Sequence, residues 1–288
     1  MSVRPPAVAG TFYAGQADAL RRDVRSHLSP AALAEPAFGA VVPHAGFIYS
    51  GPVAGAVYAR VVVPQTAIIL CPNHTGRGAP AAVDPSDAWR TPLGDVPVDR
   101  PLVRRLLELS PSLVEDGLAH SKEHSLEVQL PFLQVLRPDI SFVPVCLGAP
   151  DLELCREVGL ALATLAAEKA EEEEPLLLLA SSDMNHYESR EIGRRKDSKA
   201  LARIEAVDPE GLFRTVLSEH ITMCGFLPAT ALLFAARASG IGQASVVARR
   251  DSGDETGETD SVVGYAGVIL RAAPSPAARP VDQAQRKL

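Results

Sequence analysis

The sequence predicts a single α/β sandwich domain around a mixed, largely parallel sheet. Three apolar runs, 38–42, 67–71 and 176–180, have the length and composition of buried strands. Amphipathic stretches of helical period alternate with them, as expected for parallel strands joined by crossover helices. With 288 residues the chain is long enough for one large domain. We expect that domain over residues 1–271, followed by a disordered tail, 272–288, that is rich in Pro, Ala and Arg.

Composition and charge restrict the classes of function. Hydrophobic residues make up 47% and charged residues 22% of the chain, and the net charge is −7, which is typical of a soluble protein with a substantial core. Basic residues are scattered, so no nucleic-acid partner is expected. The sequence has neither an apolar signal region nor a run of about 20 apolar residues. We therefore expect a cytoplasmic protein with no membrane segment, and its four cysteines, which lack paired spacing, should be reduced.

In the first half of the chain, apolar spacing predicts helices over about 18–28 and 52–61 and a strand over 140–147. Asp99 is expected to cap a further helix. Residues 75–98 predict either a long functional loop or a β-hairpin on the sheet edge, and both interpretations stay open. Ser121 is expected to begin another helix, which Pro131 would kink.

In the second half, helices are predicted over 151–169, 191–206 and 227–238, with a further helix opening at Asp208-Pro209, and strands over 243–249 and 262–270. An acidic, glycine-punctuated segment, 251–260, joins the last two strands. It lacks the regular acidic alternation of an EF-hand, so a mobile lid or a plain hairpin is expected there rather than a cation loop.

A histidine follows the carboxyl end of each of the three apolar strands. His44 directly follows Pro43, His74 follows Pro72-Asn73, and each histidine has a glycine two residues later, while His186 closes the segment Ser181-Ser182-Asp183-Met184-Asn185-His186. Ligands of open α/β sheets bind beyond the carboxyl ends of the strands. Taken alone, His44 is equally compatible with a core histidine that hydrogen-bonds a neighbour. If the strands are parallel neighbours, however, all three imidazoles converge on one crevice, which packing alone does not explain.

Cys224 is the cysteine for which the sequence predicts chemistry. It precedes the apolar helix 227–238, and the positive end of a helix dipole favours a thiolate, which is a nucleophile or a metal ligand. Cys71, Cys146 and Cys155 are expected to behave as small core hydrophobes.

His124 and Glu127 lie one helical turn apart in the helix predicted from Ser121. Such a pair presents an imidazole and a carboxylate to the same cleft, or it lies in solvent at the first turn of the helix. The second interpretation is the more frequent one, and the sequence favours it.

Five short motifs in order resemble the Memo family, whose microbial members are called AmmeMemoRadiSam system protein B. They are Pro43-His44-Ala45-Gly46, Pro72-Asn73-His74, Glu123-His124-Ser125, Ser181-Ser182-Asp183 with His186, and Met223-Cys224-Gly225. The resemblance covers about residues 3–271. It implies the fold of the class III extradiol dioxygenases, an α/β sandwich with a metal cleft at the edge of the sheet.

The resemblance also implies roles for particular residues. The implied metal ligands are His44, His74 and Cys224, and the implied catalytic residues on the same cleft are His186, Asp183 and His124. His186 matches a second-sphere histidine that acts as acid or base. A functional link to AMMECR-type and radical SAM proteins is implied as well.

The third ligand position departs from the dioxygenases, which have a carboxylate there. A thiolate softens the site and broadens the expected metals to iron, copper or zinc. We therefore weigh three functions. The first is a metal-binding protein with redox or oxygenase-like chemistry, the second is a non-catalytic module that holds a small molecule or peptide in the cleft, and the third is metal-dependent hydrolysis with His186 as base.

Overall fold

Residues 2–28 and 33–271 are described by a computed structural model, and the tail over 272–288 lies outside the described residues. The strands are β1 (Val3–Arg4), β2 (Gly39–Val42), β3 (Thr66–Pro72), β4 (Ala81–Val83), β5 (Ala88–Thr91), β6 (Gly94–Pro97), β7 (Val114–Glu115), β8 (Ser141–Leu147), β9 (Leu176–Ser181), β10 (His186–Glu188), β11 (Gln243–Asp251) and β12 (Val262–Arg271). The helices are α1 (Ala17–His27), α2 (Phe47–Tyr58), α3 (Arg100–Leu109), α4 (Gly117–His120), α5 (Leu130–Leu136), α6 (Leu152–Glu171), α7 (Arg190–Glu205), α8 (Pro209–Ser218), α9 (Phe226–Ala238) and α10 (Gly253–Thr256), with a 3₁₀ turn over Glu127–Gln129.

Within the described residues, a nine-stranded sheet has the order β10-β12-β2-β9-β3-β8-β4-β7, with β11 paired to β12. The three predicted apolar strands form its centre, because β9 lies between β2 and β3 and pairs in parallel with both. β12 runs antiparallel to β2, and β4 runs antiparallel to β8. The predicted α/β architecture with a mixed, largely parallel sheet is confirmed.

The central strands are apolar throughout because both faces of the sheet are covered. Every residue of β2 and of β9 is buried, as expected for parallel strands between helical layers. Helix α9 packs against β9 and β3 and also against α6, while α2 packs against β11 and β12. Polar groups can therefore reach a cleft only where these strands end, and this is where the predicted histidines lie.

Two helix boundaries differ from the sequence prediction. Helix α2 begins at Phe47, and Pro52 lies inside it. Most of its residues are buried, so no polar face marks its start. The helix predicted from Ser121 is wrong, because α4 ends at His120 and α5 begins only at Leu130. Pro131 lies in the first turn of α5, where proline is favoured, and does not kink a helix.

Two open interpretations are decided by the strand pairing. Residues 75–98 contain a hairpin, since β5 and β6 pair antiparallel, but the hairpin joins β1 in a separate three-stranded sheet of the described chain rather than the edge of the large one. The acidic segment 251–260 connects β11 and β12, which are antiparallel, and contains the short helix α10. Asp251 and Asp254 both bind Arg190 there, so this segment is a plain hairpin connection held by ion pairs.

Candidate metal centre

Two imidazoles and a thiol meet beyond the carboxyl ends of β2 and β3. His44 follows β2, His74 follows β3, and Cys224 precedes α9. A ligand atom from each of the three lies within 4.8 Å of the other two, a spacing that could hold a metal ion. His44 Nε2 is 3.3 Å from Cys224 Sγ, and the centroids of the two imidazole rings are 5.2 Å apart.

The orientation of His44 is fixed by Ser181, the last residue of β9. His44 Nδ1 lies 2.9 Å from Ser181 Oγ. That hydroxyl donates its only hydrogen to the carbonyl oxygen of Ser125 at 2.6 Å, so it must accept from His44 Nδ1. The proton of the neutral ring is therefore on Nδ1, and the lone pair of Nε2 is available at the thiol. Burial and then the neighbouring His74 and His124 hold the pKa of His44 well below its usual range, which keeps the ring neutral.

The orientation of His74 is fixed by Glu123. His74 Nδ1 lies 3.0 Å from Glu123 Oε1, and the same carboxylate accepts the backbone N–H groups of His74, His124 and Ser125 at 2.7 to 2.9 Å. Burial raises the pKa of Glu123, but the hydrogen bonds from His74 and Ser125 hold it well below its usual range. A carboxylate that accepts from the outer nitrogen of an imidazole is the usual support of a metal-binding histidine.

The same hydrogen bonds explain why no helix begins at Ser121. They tie the backbone N–H groups of His124 and Ser125 to one carboxylate in a turn, so these N–H groups are not available to a helix. His74, Glu123 and His124 also have ligand atoms within 4.8 Å of one another. This second group suits a cation less well, because the Glu123 oxygens already accept hydrogen bonds from several donors.

The thiol of Cys224 differs from its prediction. Burial and the nearby Asp183 carboxyl raise the pKa of Cys224, whereas a helix N-terminus was expected to lower it. The N–H of Gly225, the cap residue of α9, donates to Ser182 Oγ at 3.0 Å. The expectation of a thiolate stabilised by the helix dipole is therefore wrong. Metal coordination deprotonates a thiol outright, so a bound cation would supply what the helix does not.

Asp183 hydrogen-bonds to two of the three candidate ligand residues, His44 and Cys224. Its Oδ1 accepts the backbone N–H of His44 at 2.7 Å, and its own N–H donates to Cys224 Sγ at 3.3 Å. Burial raises the pKa of Asp183 to about 7, although the hydrogen bond from His44 opposes this. Asp183 thus joins the two segments that carry His44 and Cys224.

His124 lies in the cleft, and Glu127 does not. The His124 ring is 4.7 Å from the His74 ring and 5.5 Å from the His44 ring, and burial lowers the pKa of His124. Glu127 is fully buried and turned away, bound to Arg4 Nη1 and Tyr13 Oη, each at 2.6 Å. The favoured expectation of a solvated pair is therefore wrong for both residues.

Glu127 acts on the cleft indirectly, through the amino-terminal segment. It also accepts the backbone N–H groups of Ala7 and Val8, and so it holds this segment against the domain. Phe12 is thereby placed with its ring 4.8 Å from the His124 ring. The backbone oxygen of Phe12 accepts the N–H of Phe47 at the start of α2, which fixes this wall of the cleft from its other side.

All six residues predicted for the site line one cleft of about 730 Å³. His186 lies at the start of β10, with its Nδ1 2.9 Å from the carbonyl oxygen of Thr222. Aromatic and aliphatic side chains form much of the remaining wall, namely Phe12, Ile48, Tyr49, Tyr187, Val263 and Tyr265. Neither lysine nor arginine is among the described residues that line this cleft.

Sequence reasoning missed the residues that orient the ligands. Glu123, Ser181 and Thr222 contact His74, His44 and His186 through the hydrogen bonds given above. Glu123 and Ser181 belong to motifs that the sequence singled out, but only their histidine and aspartate neighbours were chosen. The sequence did offer a signal for them, namely a carboxylate or hydroxyl side chain in a motif that also contains a histidine.

The fold and the donor set define an α/β sandwich protein with a candidate His/His/Cys metal centre at the ends of parallel strands. Residues 4–269 match the family described as Memo-like protein, and the chain belongs to the Memo family. It is 41% identical over 282 residues to a MEMO1 family protein of Pyrobaculum arsenaticum, covering 94% of this chain and 99% of the relative. MEMO1 family proteins of Methanopyrus kandleri and Thermotoga maritima are each 39% identical over 282 residues, covering 93% of this chain and 99% of the relative.

A solved structure shares the fold at low sequence identity. The crystal structure of an uncharacterized protein from Escherichia coli K12 matches with a TM-score of 0.53 and 16% identity, covering 80% of this chain and 98% of that one. The family model and the MEMO1 relatives confirm the family assignment from the five motifs. In the described part of the chain, no helix is both long enough and apolar enough to cross a membrane.

Proposed function

We propose that this protein binds one transition-metal ion through His44, His74 and Cys224 and supports redox chemistry on a small molecule in the cleft. One observation carries the proposal. Each imidazole gives its Nδ1 to a buried acceptor, Ser181 or Glu123, so that Nε2 is the nitrogen left to bind. Metal ligands must be deprotonated, and a neutral imidazole whose free nitrogen lies 3.3 Å from a thiol meets that condition.

The donor set fits iron, copper or zinc. Imidazole suits all three metals, and a thiolate favours copper and zinc over harder cations. Bound at this site, iron or copper would supply one-electron chemistry and zinc would supply Lewis acidity. The protein itself contributes three fixed donors and a cleft wall formed largely by aromatic and aliphatic side chains.

His186 is the residue proposed to hold or move a proton. Its Nδ1–H is held by the carbonyl oxygen of Thr222, which leaves Nε2 unprotonated in the neutral ring. Burial lowers the pKa of His186 more than its hydrogen bond to Thr222 raises it. Near neutral pH it is therefore suited to accept a proton from a bound molecule.

The cleft wall favours an uncharged ligand, either a small molecule or an apolar side chain of a peptide. Ile48 and Tyr187 line the cleft and are 60% and 77% exposed, so they form an apolar rim. Lysine and arginine are missing from the described lining, so no permanently charged basic side chain there would pair with a phosphate. This same wall favours the second candidate, a binding module that holds such a ligand without turnover.

Metal analysis of protein purified from its own host without air tests the proposal. Iron or copper at about one per chain is the expected result, and loss of that metal in His44→Ala and His74→Ala would assign the ligands. His220→Ala, which changes an exposed histidine away from the cleft, is the matched control and should keep its metal. Zinc would favour hydrolysis, and protein that holds no metal under these conditions would favour the binding module.

A further inference from the structure

A buried amide lies behind His186. Asn185 is 1% exposed. Its Oδ1 accepts hydrogen bonds from the backbone N–H and from the hydroxyl of Thr222, both at 3.1 Å, and its Nδ2 donates to Glu188 Oε2 at 2.6 Å. Lys196 Nζ also holds this carboxylate, at 2.8 Å from Oε2 and 2.9 Å from Oε1. Asn185 therefore uses both ends of its amide, because it must accept from Thr222 and donate to a carboxylate.

Thr222 transmits this constraint to His186. Its hydroxyl accepts the backbone N–H of His186 at 2.7 Å, and its carbonyl oxygen lies 2.9 Å from His186 Nδ1. Because a carbonyl oxygen can only accept, the ring proton is on Nδ1. The tautomer of His186 is therefore set by where the backbone of Thr222 is held.

The same two segments meet again at Cys224. Asp183 donates its backbone N–H to Cys224 Sγ at 3.3 Å, two residues before Asn185 on one segment and two residues after Thr222 on the other. The backbone N–H of Asn185 is itself anchored to Asp197 Oδ1 on α7 at 2.9 Å. The contacts of Asp183 with Cys224 and of Asn185 with Thr222 thus hold the two segments in a fixed register. The hydrogen bond from Asn185 to Asp197 anchors them on α7, a helix that does not line the cleft.

We propose that Asn185 is a positioning residue that sets the tautomer of His186 and holds the segment carrying Cys224 in place. Asn185 does not line the cleft, so it acts through Thr222. This inference rests on the proposed roles of His186 and Cys224. It adds a residue that links the proton-handling side of the cleft to the thiol side.

Nitrogen-15 NMR of the metal-free protein tests the first part, and cobalt(II) titration tests the second. Wild-type His186 should give a single Nδ1–H tautomer. In Asn185→Ala we expect a mixture of both tautomers and a cobalt affinity lowered about 10- to 100-fold, the usual cost of losing an outer-shell partner. Ser110→Ala removes a partly buried hydrogen bond to Glu157 away from the cleft. This variant is the control for a loss of stability alone, and it should change neither the tautomer of His186 nor the cobalt affinity.

A second pair of variants decides the case if Asn185→Ala does not fold. Thr222→Val keeps the shape but loses the hydroxyl and should repeat both effects, whereas Thr222→Ser keeps the hydroxyl and should preserve both properties. A single Nδ1–H tautomer with unchanged cobalt affinity in Asn185→Ala, or in Thr222→Val, would overturn the inference. If the wild-type protein binds no cobalt, the metal proposal fails, and the tautomer measurement still decides the role of Asn185.

Discussion

Replacing Glu123 with glutamine isolates the support of one ligand without removing the ligand. In the wild type, Oε1 faces His74 Nδ1, two backbone N–H groups and the hydroxyl of Ser125, while Oε2 faces the backbone N–H of His74. A glutamine can keep its oxygen at the crowded position only by turning its NH₂ group toward the His74 N–H. In Glu123→Gln the buried hydrogen bond from the backbone N–H of His74 is therefore lost, and two N–H donors face each other in its place.

Two magnitudes follow from this geometry. Losing a hydrogen bond to a charged group and leaving a buried donor unsatisfied each cost about 1–3 kcal/mol, so the metal-free variant should lose about that much unfolding free energy. His74 also loses the carboxylate that orients it, and such losses lower metal affinity about 10- to 100-fold. In free energy, that range corresponds to about 1.4–2.7 kcal/mol of binding.

A second buried glutamate provides the comparison. Glu127 is as buried as Glu123 and is ion-paired to Arg4, but it holds the amino-terminal segment of the cleft wall rather than any of the three candidate ligands. Urea unfolding of the metal-free proteins should show that both Glu123→Gln and Glu127→Gln are destabilised. Cobalt(II) titration against a competing chelator should show weakened binding in Glu123→Gln alone. Equal losses of affinity in the two variants, or full affinity in Glu123→Gln, would refute the support of His74 by Glu123.

Three further outcomes are expected. His186→Ala should keep its metal by elemental analysis while turnover of a cleft-bound substrate falls about 10²- to 10⁴-fold; metal loss equal to that of His44→Ala would instead make His186 a ligand. Cys224 should resist alkylation in metal-loaded protein and should be labelled after chelation, with a rate that keeps rising above the pH range of an ordinary thiol because burial raises its pKa; mass mapping that shows equal labelling in both states would remove it from the ligand set. A hydrogen bond from Arg237 lowers the pKa of Glu210 to about 2, so this carboxylate stabilises the fold above its unfolded pKa of about 4.3 and loses that contribution as the pH falls toward 2. Glu210→Gln should accordingly lose more unfolding free energy at pH 7 than at pH 3, and equal losses at both pH values would contradict this assignment.

The sequence predicted the strands and the meeting of the histidines because both depend on local patterns. Apolar runs mark the buried strands, and parallel strands bring their carboxyl ends to one edge. The direction of Glu127 was not predictable in this way, because its partner Arg4 is remote in sequence. The pKa of Cys224 was mispredicted for a similar reason, since the thiol is buried beside the carboxyl of Asp183, which follows a different strand. Contacts between segments that are distant in sequence determine the hydrogen-bond partners and the pKa values of these polar side chains.

The order of strands in the sheet also determines when the proposed centre can form as the chain is synthesised. β2 and β3 carry His44 and His74, yet they are not neighbours, because β9 is inserted between them. A nascent chain that ends before residue 176 already contains both histidines but lacks the strand that sets their spacing and the Ser181 hydroxyl that orients one of them. Cys224 leaves the ribosome later still. The complete donor set thus exists only after most of the domain has been translated, so metal loading would be a late event that acts on a nearly finished fold.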